Sequence, residues 1–414
     1  MRTGLHSEQA NRISAPPVSG QSLAQAFEGG LDLCAFVFFP LLVLAPRGVA
    51  ILASGAGVLA AGLLVPSGAV VRLRRLAVPG VLLGLLLCWG IVSAAWSPNP
   101  LRSVEIAMRL AGLFAAGLAL AATAGIIAAP RRLSLFLVTG LIIGIVMATA
   151  DFATHGELSA PFTERVYQPA RLNQASVAFA ILMAPAAALV ICLGRKLLGV
   201  AFGLAVAATV FVLAGTAAKA ALAIGLAMGL VCYVAPARFS RSAAVLSVLI
   251  VVTAPLTFAR FERLSALTAT ADIIKQSFGH RLLIWSFAGD RIDERPLAGW
   301  GLDASRAIPG GSEPIEPGET WLPLHPHNAP LQLWLELGVP GAVLFALVAT
   351  LPWLALAAAE WPALLTAAAG AALTAGLVSC LATYGIWQEW WQGTLWFSLF
   401  LVLVLARTAT AAER

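Results

Sequence analysis

The amino-acid sequence predicts an all-α polytopic membrane protein with about twelve transmembrane helices, and three observations carry that prediction. Of 414 residues, 60% are hydrophobic and only 11% are charged, less than half the roughly 25% charged share of a soluble globular domain. Long apolar runs follow one another, each near the roughly 20 residues that a helix needs to cross a bilayer. The remaining charges gather in short connections and in one long insertion. This composition excludes a soluble fold, a disordered chain and a coiled coil. It is also too apolar for a transmembrane barrel, whose strands alternate polar and apolar residues.

The elements follow in order. Residues 1–30 are polar, with Gly, Pro and Ser and without the apolar core of a signal peptide; they are expected to form a flexible cytoplasmic tail. The membrane domain is expected to occupy 31–414, with apolar segments near 31–45, 48–66, 77–95, 103–127, 133–150, 172–193, 197–214, 217–235, 243–259, 329–350, 361–383 and 392–406. Four short connections carry Arg72, Arg74 and Arg75; Arg131 and Arg132; Arg195 and Lys196; and Arg238 and Arg241. They hold no acidic residue and share a side with the N-terminus. Cationic loops stay in the cytoplasm, so both termini are expected there. The net charge of +6 then reflects topology, and no nucleic-acid partner is implied. The five cysteines lie inside apolar runs and read as buried hydrophobes. No nucleotide-binding loop is present.

The insertion at 260–326 is too polar to span a bilayer and too long for an ordinary connection. It is expected on the outer face, the periplasm of a Gram-negative cell. Residues 279–296 predict a surface helix carrying Arg281 and stopped by Pro296. Farther on, Asn328 is a good N-cap with Pro330 in the first turn, so His327 sits just before a helix N-terminus. The helix dipole there disfavours the imidazolium. A neutral imidazole accepts protons, which makes His327 a candidate general base, although a lone loop histidine is more often solvated or structural. Arg171 and Lys219 fall on the same side, and Lys219 lies inside an apolar run, where a cation is costly and usually partnered. Its alternative is to snorkel to the surface. Glu105 and Arg109 are spaced to pair, and Glu336 inside the tenth span is expected to meet a cation. Outward cations with one histidine and no metal cluster suit a lipid-linked diphosphate, whose oxygens arginine can grip in pairs.

Four stretches, in order, resemble the O-antigen ligase and polymerase family of bacterial membrane glycosyltransferases. They are IVSAAWSPNPLRSVEIAMR (91–109), AGTAAKAALAIGL (214–226), GHRLLIWSFAGDRIDERPLAGWGLD (279–303) and HPHNAPLQLWLELGVPGAVLF (325–345). The resemblance implies a GT-C-like fold in the bacterial inner membrane, with the active site facing the periplasm. It implies a glycan on undecaprenyl diphosphate as donor and a glycan or lipid A–core hydroxyl as acceptor, with neither cofactor nor metal. His327 would activate the acceptor, while Arg281 and Arg171 would hold the diphosphate. Lys219 stands where the family commonly carries arginine, which keeps the charge but loses the two-pronged grip. Attachment of a finished glycan, as a ligase does, is the first expectation. A polymerase of the same family is the alternative, and a transporter of lipid-linked oligosaccharide is the second alternative.

Overall fold

A computed structural model describes residues 20–65, 68–162, 167–263, 276–316 and 319–413. The first part of the bundle comprises α1 (Gly20–Leu44), α2 (Gly48–Leu64), α3 (Ala77–Val92), α4 (Pro100–Thr123), α5 (Pro130–Ala153) and α6 (Asn173–Cys192). It continues with α7 (Lys196–Val212), α8 (Thr216–Val234), α9 (Pro236–Val252) and the short α10 (Ala254–Thr257). The insertion holds α11 (Gln276–Glu294), and α12 (Ala329–Ala357), α13 (Ala363–Ala382) and α14 (Glu389–Glu413) complete the bundle. Among the described residues, strand is confined to an antiparallel pair, β1 (Pro314–Glu316) with β2 (Glu319–Thr320). The chain is an all-α polytopic membrane protein.

Each of the twelve predicted segments coincides with a helix. Among the described residues nine helices are long and apolar enough to cross a membrane, or ten if α9 and the residues after it, bent by 60°, are one span. The other two, α2 and α7, have 17 residues each, about 25 Å at 1.5 Å per residue against a hydrocarbon core of about 30 Å. Large apolar side chains face outward around the bundle, including Ile51, Leu197 and Val234, as a lipid-facing surface requires.

One boundary differs from the expectation. The first helix starts at Gly20, so residues 20–30 of the expected tail are helical; residues 1–19 lie outside the described residues. The cause is at the far turn between α4 and α5. Glu28 accepts the backbone N–H of Ala128 at 2.6 Å, and Asp32 receives Arg132 Nε at 2.6 Å. Glu28, which read as tail polarity, and Asp32 in the first expected span are therefore docking groups, buried against their partners.

The most enclosed spans are α6, α13 and α14. Close approach of α8 and α13 depends on small residues: a Cβ on Gly225 would stand 2.8 Å from Ala371 O, and one on Gly229 2.9 Å from Ala371 Cβ. The insertion has a small core of its own, in which Trp285, Phe287 and Ile292 of α11 pack with Trp300, Leu322, Leu331 and Leu335. The apolar stripe of α11 is thus covered by protein, where the sequence led us to expect a membrane surface.

A break in α12 joins insertion to bundle. Gly338 has φ 60° and ψ −155°, a backbone conformation essentially confined to glycine. The break frees the carbonyls of Leu335 and Leu337, and Pro340 has no N–H to give to Glu336 O. Leu335 O accepts Trp300 N–H at 2.9 Å and Glu336 O accepts Gly301 N–H at 2.7 Å. Leu337 O accepts Trp89 Nε1–H at 2.8 Å, and Val339 N–H donates to Pro296 O at 3.1 Å. The turn after α11 is thereby seated on the tenth span.

Candidate functional site

The site forms where the start of α12 meets the end of α13 and the start of α11. Asn328 caps α12: its Oδ1 accepts Leu331 N–H at 3.0 Å and its Nδ2 donates to Leu381 O at 3.2 Å. The preceding residue, His327, is held at φ 55°, a left-handed conformation rare for a residue with a side chain. The turn sets its half-buried ring against the Thr383 carbonyl at the end of α13.

The ring of His327 is fixed by one bond that also fixes its tautomer. Its Nδ1 lies 2.5 Å from the carbonyl oxygen of Thr383. A carbonyl can only accept, so Nδ1 carries the proton and Nε2 keeps its lone pair. Burial pushes the His327 pKa down to about 4; the Thr383 bond opposes that shift, and Arg281 and His280 add to it. At neutral pH the ring is uncharged and Nε2 is ready to accept a proton.

His325 supports this arrangement. Its Nδ1 accepts the backbone N–H of His327 at 3.1 Å, and its ring centroid stands 4.3 Å from that of His327. Gly385 N and Gln388 Nε2 approach its Nε2 at 3.1 and 3.3 Å. Burial, followed by the charges on His327, Arg306 and Arg281, pushes the His325 pKa down to about 2, so this ring stays neutral. Its function is to hold the loop.

Arg281 enters from the first turns of α11. That helix is tied to the histidine loop by Trp285, whose Nε1–H donates to Pro326 O at 2.8 Å. The guanidinium is near enough to depress both histidines electrostatically. Burial pushes its own pKa down, and the Tyr384 phenol opposes this. Arginine remains protonated in proteins even so. Among the described residues Arg281 has no carboxylate partner within ion-pair distance. A half-buried, uncompensated cation beside a proton acceptor is suited to receive an anion.

Arg171 and Lys219 form a neighbouring group, with no contact to His327 among the described residues. Arg171 Nη1 donates to Ser159 Oγ and its Nη2 to Leu44 O, both at 2.7 Å, so it knits α1 to the segment ahead of α6. Lys219, half-buried near the start of α8, has no ion-pair partner among the described residues. The starts of α6 and α8 approach each other, since a Cβ on Gly215 would stand 3.0 Å from Asn173 Oδ1. The register of α8 on α13 also relates them to the histidine. Gly225 packs on Ala371 and Ala375 and Gly229 on Ala367 and Ala371, so α8 and α13 run antiparallel and Lys219, near the start of α8, lies toward the Thr383 end of α13.

Two expectations concern carboxylates. Glu105 and Arg109 pair as expected, and Arg109 also meets Glu389 at 3.1 Å. Glu336, expected to meet a cation, has none among the described residues. Instead it receives Trp387 Nε1 at 2.6 Å, Gln332 Nε2 at 3.1 Å, the Asp303 N–H at 2.6 Å and the Ser305 hydroxyl. These donors answer the carboxylate without a charge, and the cation of this region, Arg102, goes to Asp303 at 2.7 Å. Sequence reasoning missed His325, whose signal was its place two residues before His327. It also missed Thr383, Tyr384 and Arg306, which carry no local pattern.

Fold and site together define a helical membrane protein with a neutral histidine and an uncompensated guanidinium at one end of the bundle. Residues 202–346 match the family model described as O-antigen ligase. A Rickettsia conorii protein named "Putative polysaccharide ligase" is 37% identical over 134 residues, 31% of this chain and 32% of its own. A Rickettsia felis protein of that name is 35% identical over 134 residues, 31% of this chain and 33% of its own. The chain spans about a third of the length of the curated relatives it matches. The region that resembles this family includes Lys219, Arg281 and His327, while Arg171 falls outside it.

Proposed function

We propose that this protein transfers a glycan from an undecaprenyl-diphosphate donor to a sugar hydroxyl, at the periplasmic face of the bacterial inner membrane. The observation that supports the reading is the pairing of His327, its Nδ1 bonded to Thr383 O and its ring neutral, with Arg281, which has no ion-pair partner among the described residues. The acceptor hydroxyl gives its proton to Nε2 as its oxygen attacks the anomeric carbon. The bond from that carbon to the diphosphate oxygen breaks, and its electron pair leaves with the diphosphate. Arg281 neutralises the growing negative charge, with Lys219 and Arg171 engaging the donor farther along the same end of the bundle. A positioned base contributes about 10²–10⁴-fold to such a step. This step draws on no metal and no cofactor.

Attachment to lipid A–core or a similar acceptor is favoured over polymerisation by the family description and the relatives' names. A transporter of the lipid-linked glycan would use the broken α12 to present bare carbonyls or helix ends to its cargo. Here the freed carbonyls of residues 335, 336 and 337 are already bonded to Trp300, Gly301 and Trp89, which counts against transport.

The test uses purified protein in liposomes with a lipid-linked glycan and a soluble sugar acceptor. Release of undecaprenyl diphosphate by wild type, and its loss in His327→Ala with donor binding retained, is the expected result. Wild-type turnover in His327→Ala removes the base; translocation without release makes the protein a transporter. Deleting the gene distinguishes the acceptors: lipid-linked polymer accumulates without a ligase, and a single repeat remains on the core without a polymerase.

A further inference from the structure

A second site lies in the insertion, away from the histidine. A cavity of about 550 Å³ opens between α11, through Phe287, Asp290 and Arg291, and the segment carrying Glu313 and Trp321. Binding pockets for small molecules span roughly 300–1,000 Å³. On a helix turning 100° per residue, Asp290 falls opposite Arg281, Phe287 about 120° and Arg291 about 80° away from it, and Asp290 is about 13 Å farther along the axis. The cavity is therefore separate from the reaction centre but on the same element.

Its walls have a specific chemistry. The rings of Phe287 and Trp321 lie 6.2 Å apart and within 23° of parallel, and the Arg291 guanidinium stands 5.1 Å from the centre of the Phe287 ring. Arg291 Nε is buried without a hydrogen-bond partner, although its Nη1 pairs with Glu294 at 2.7 Å. Asp290 and Glu313 are exposed and make no ion pair among the described residues. Two uncompensated carboxylates repel a diphosphate, and they also disfavour an acyl chain. Aromatic faces beside hydroxyl-accepting carboxylates and a guanidinium donor match a ring with an apolar C–H face and a hydroxyl-bearing edge.

We infer that this cavity is a subsite for uncharged sugar rings of the glycan, remote from the bond that is made. The assignment rests on the glycosyl-transfer reading for the identity of the sugar, and it holds whether the rings belong to the donor chain or to the acceptor. A subsite at this distance anchors the glycan while its reactive end reaches His327, and binding energy from remote groups is then available to the reaction.

The test measures binding of two probes to the full chain in detergent: glycan freed from its lipid carrier by mild acid, and delipidated core oligosaccharide from the same cells. Tryptophan fluorescence and saturation-transfer NMR are the readouts. One probe is expected to bind wild type. Asp290→Asn and Glu313→Gln, which keep shape, are expected to bind it about tenfold more weakly, as loss of a charge-assisted hydrogen bond implies. Trp321→Phe keeps an aromatic surface and separates loss of stacking area from misfolding. Gly376→Ala, where a Cβ meets nothing within 4 Å, is expected to keep full affinity. The inference is overturned if neither probe binds wild type, or if both carboxylate variants bind as wild type does. Sugar binding at this cavity in a protein that releases no undecaprenyl diphosphate would sink the transferase reading and leave the subsite standing.

Discussion

Replacing Gly338 by alanine tests whether the break in α12 is what seats the insertion. At φ 60° and ψ −155° an alanine costs about 1–3 kcal/mol in backbone strain alone. Its Cβ would also stand 2.5 Å from Leu297 O and 2.8 Å from Ala298 N, so the turn after α11 has to move. That turn is held by Trp300 N–H on Leu335 O, Gly301 N–H on Glu336 O and Val339 N–H on Pro296 O. At about 1 kcal/mol per bond, the substitution is expected to destabilise the region by about 4 kcal/mol. If the helix instead straightens through residue 338, those same bonds are lost. Thermal unfolding of the protein in detergent and limited proteolysis of the insertion are the assays. Gly376→Ala is the matched control, since a Cβ there meets nothing within 4 Å and alanine favours helix. Equal unfolding temperatures and cleavage rates for the two variants would refute the reasoning.

Other outcomes are expected. Transfer by wild type should persist as pH falls through 6.5 and fail only near 4, because burial holds the His327 pKa at about 4. The same depressed value means that stability contributed by the neutral ring is complete above pH 6.5 and is lost as pH falls through about 4; an acid limb of kcat/KM near 6.5 would contradict both. Arg281→Lys should recover only part of the donor affinity lost in Arg281→Ala, since lysine lacks the planar pair of donors; full recovery, measured by donor titration, would reduce Arg281 to a point charge. Glu336→Gln should lower stability by about 1–3 kcal/mol. Its amide can still serve Trp387 and Asp303 through its oxygen, but its NH₂ then faces the Gln332 amide; an unchanged unfolding temperature would show that the network tolerates the mismatch.

The membrane fold was legible because lipid imposes a simple rule on apolar length, and each of the twelve predicted apolar segments coincides with a helix. The start of α1 was not, because Glu28 and Asp32 are helical through partners about a hundred residues away, Ala128 and Arg132. Within the candidate site, the Asn328 cap and the place of His327 before it followed from local chemistry. The tautomer of His327 did not, since it is set by the Thr383 carbonyl 56 residues later. Glu336 misled for a related reason: its four neutral donors come from Gln332, Trp387, Asp303 and Ser305, and only the first is on its own helix. The left-handed break at Gly338 was visible as a glycine, but its purpose appears only when the turn after α11 is seen resting on it.

The bond from His327 Nδ1 to a peptide oxygen has a consequence for proton traffic. The imidazole has a single usable doorway, and a carbonyl behind it offers no onward hop into the hydrocarbon. A proton collected at Nε2 must depart through that same doorway into the aqueous compartment it came from. The weak hold implied by a pKa near 4 favours the ring's return to its neutral form between cycles. An ionisable group at the rim of a bilayer is thus kept from short-circuiting the gradient across it.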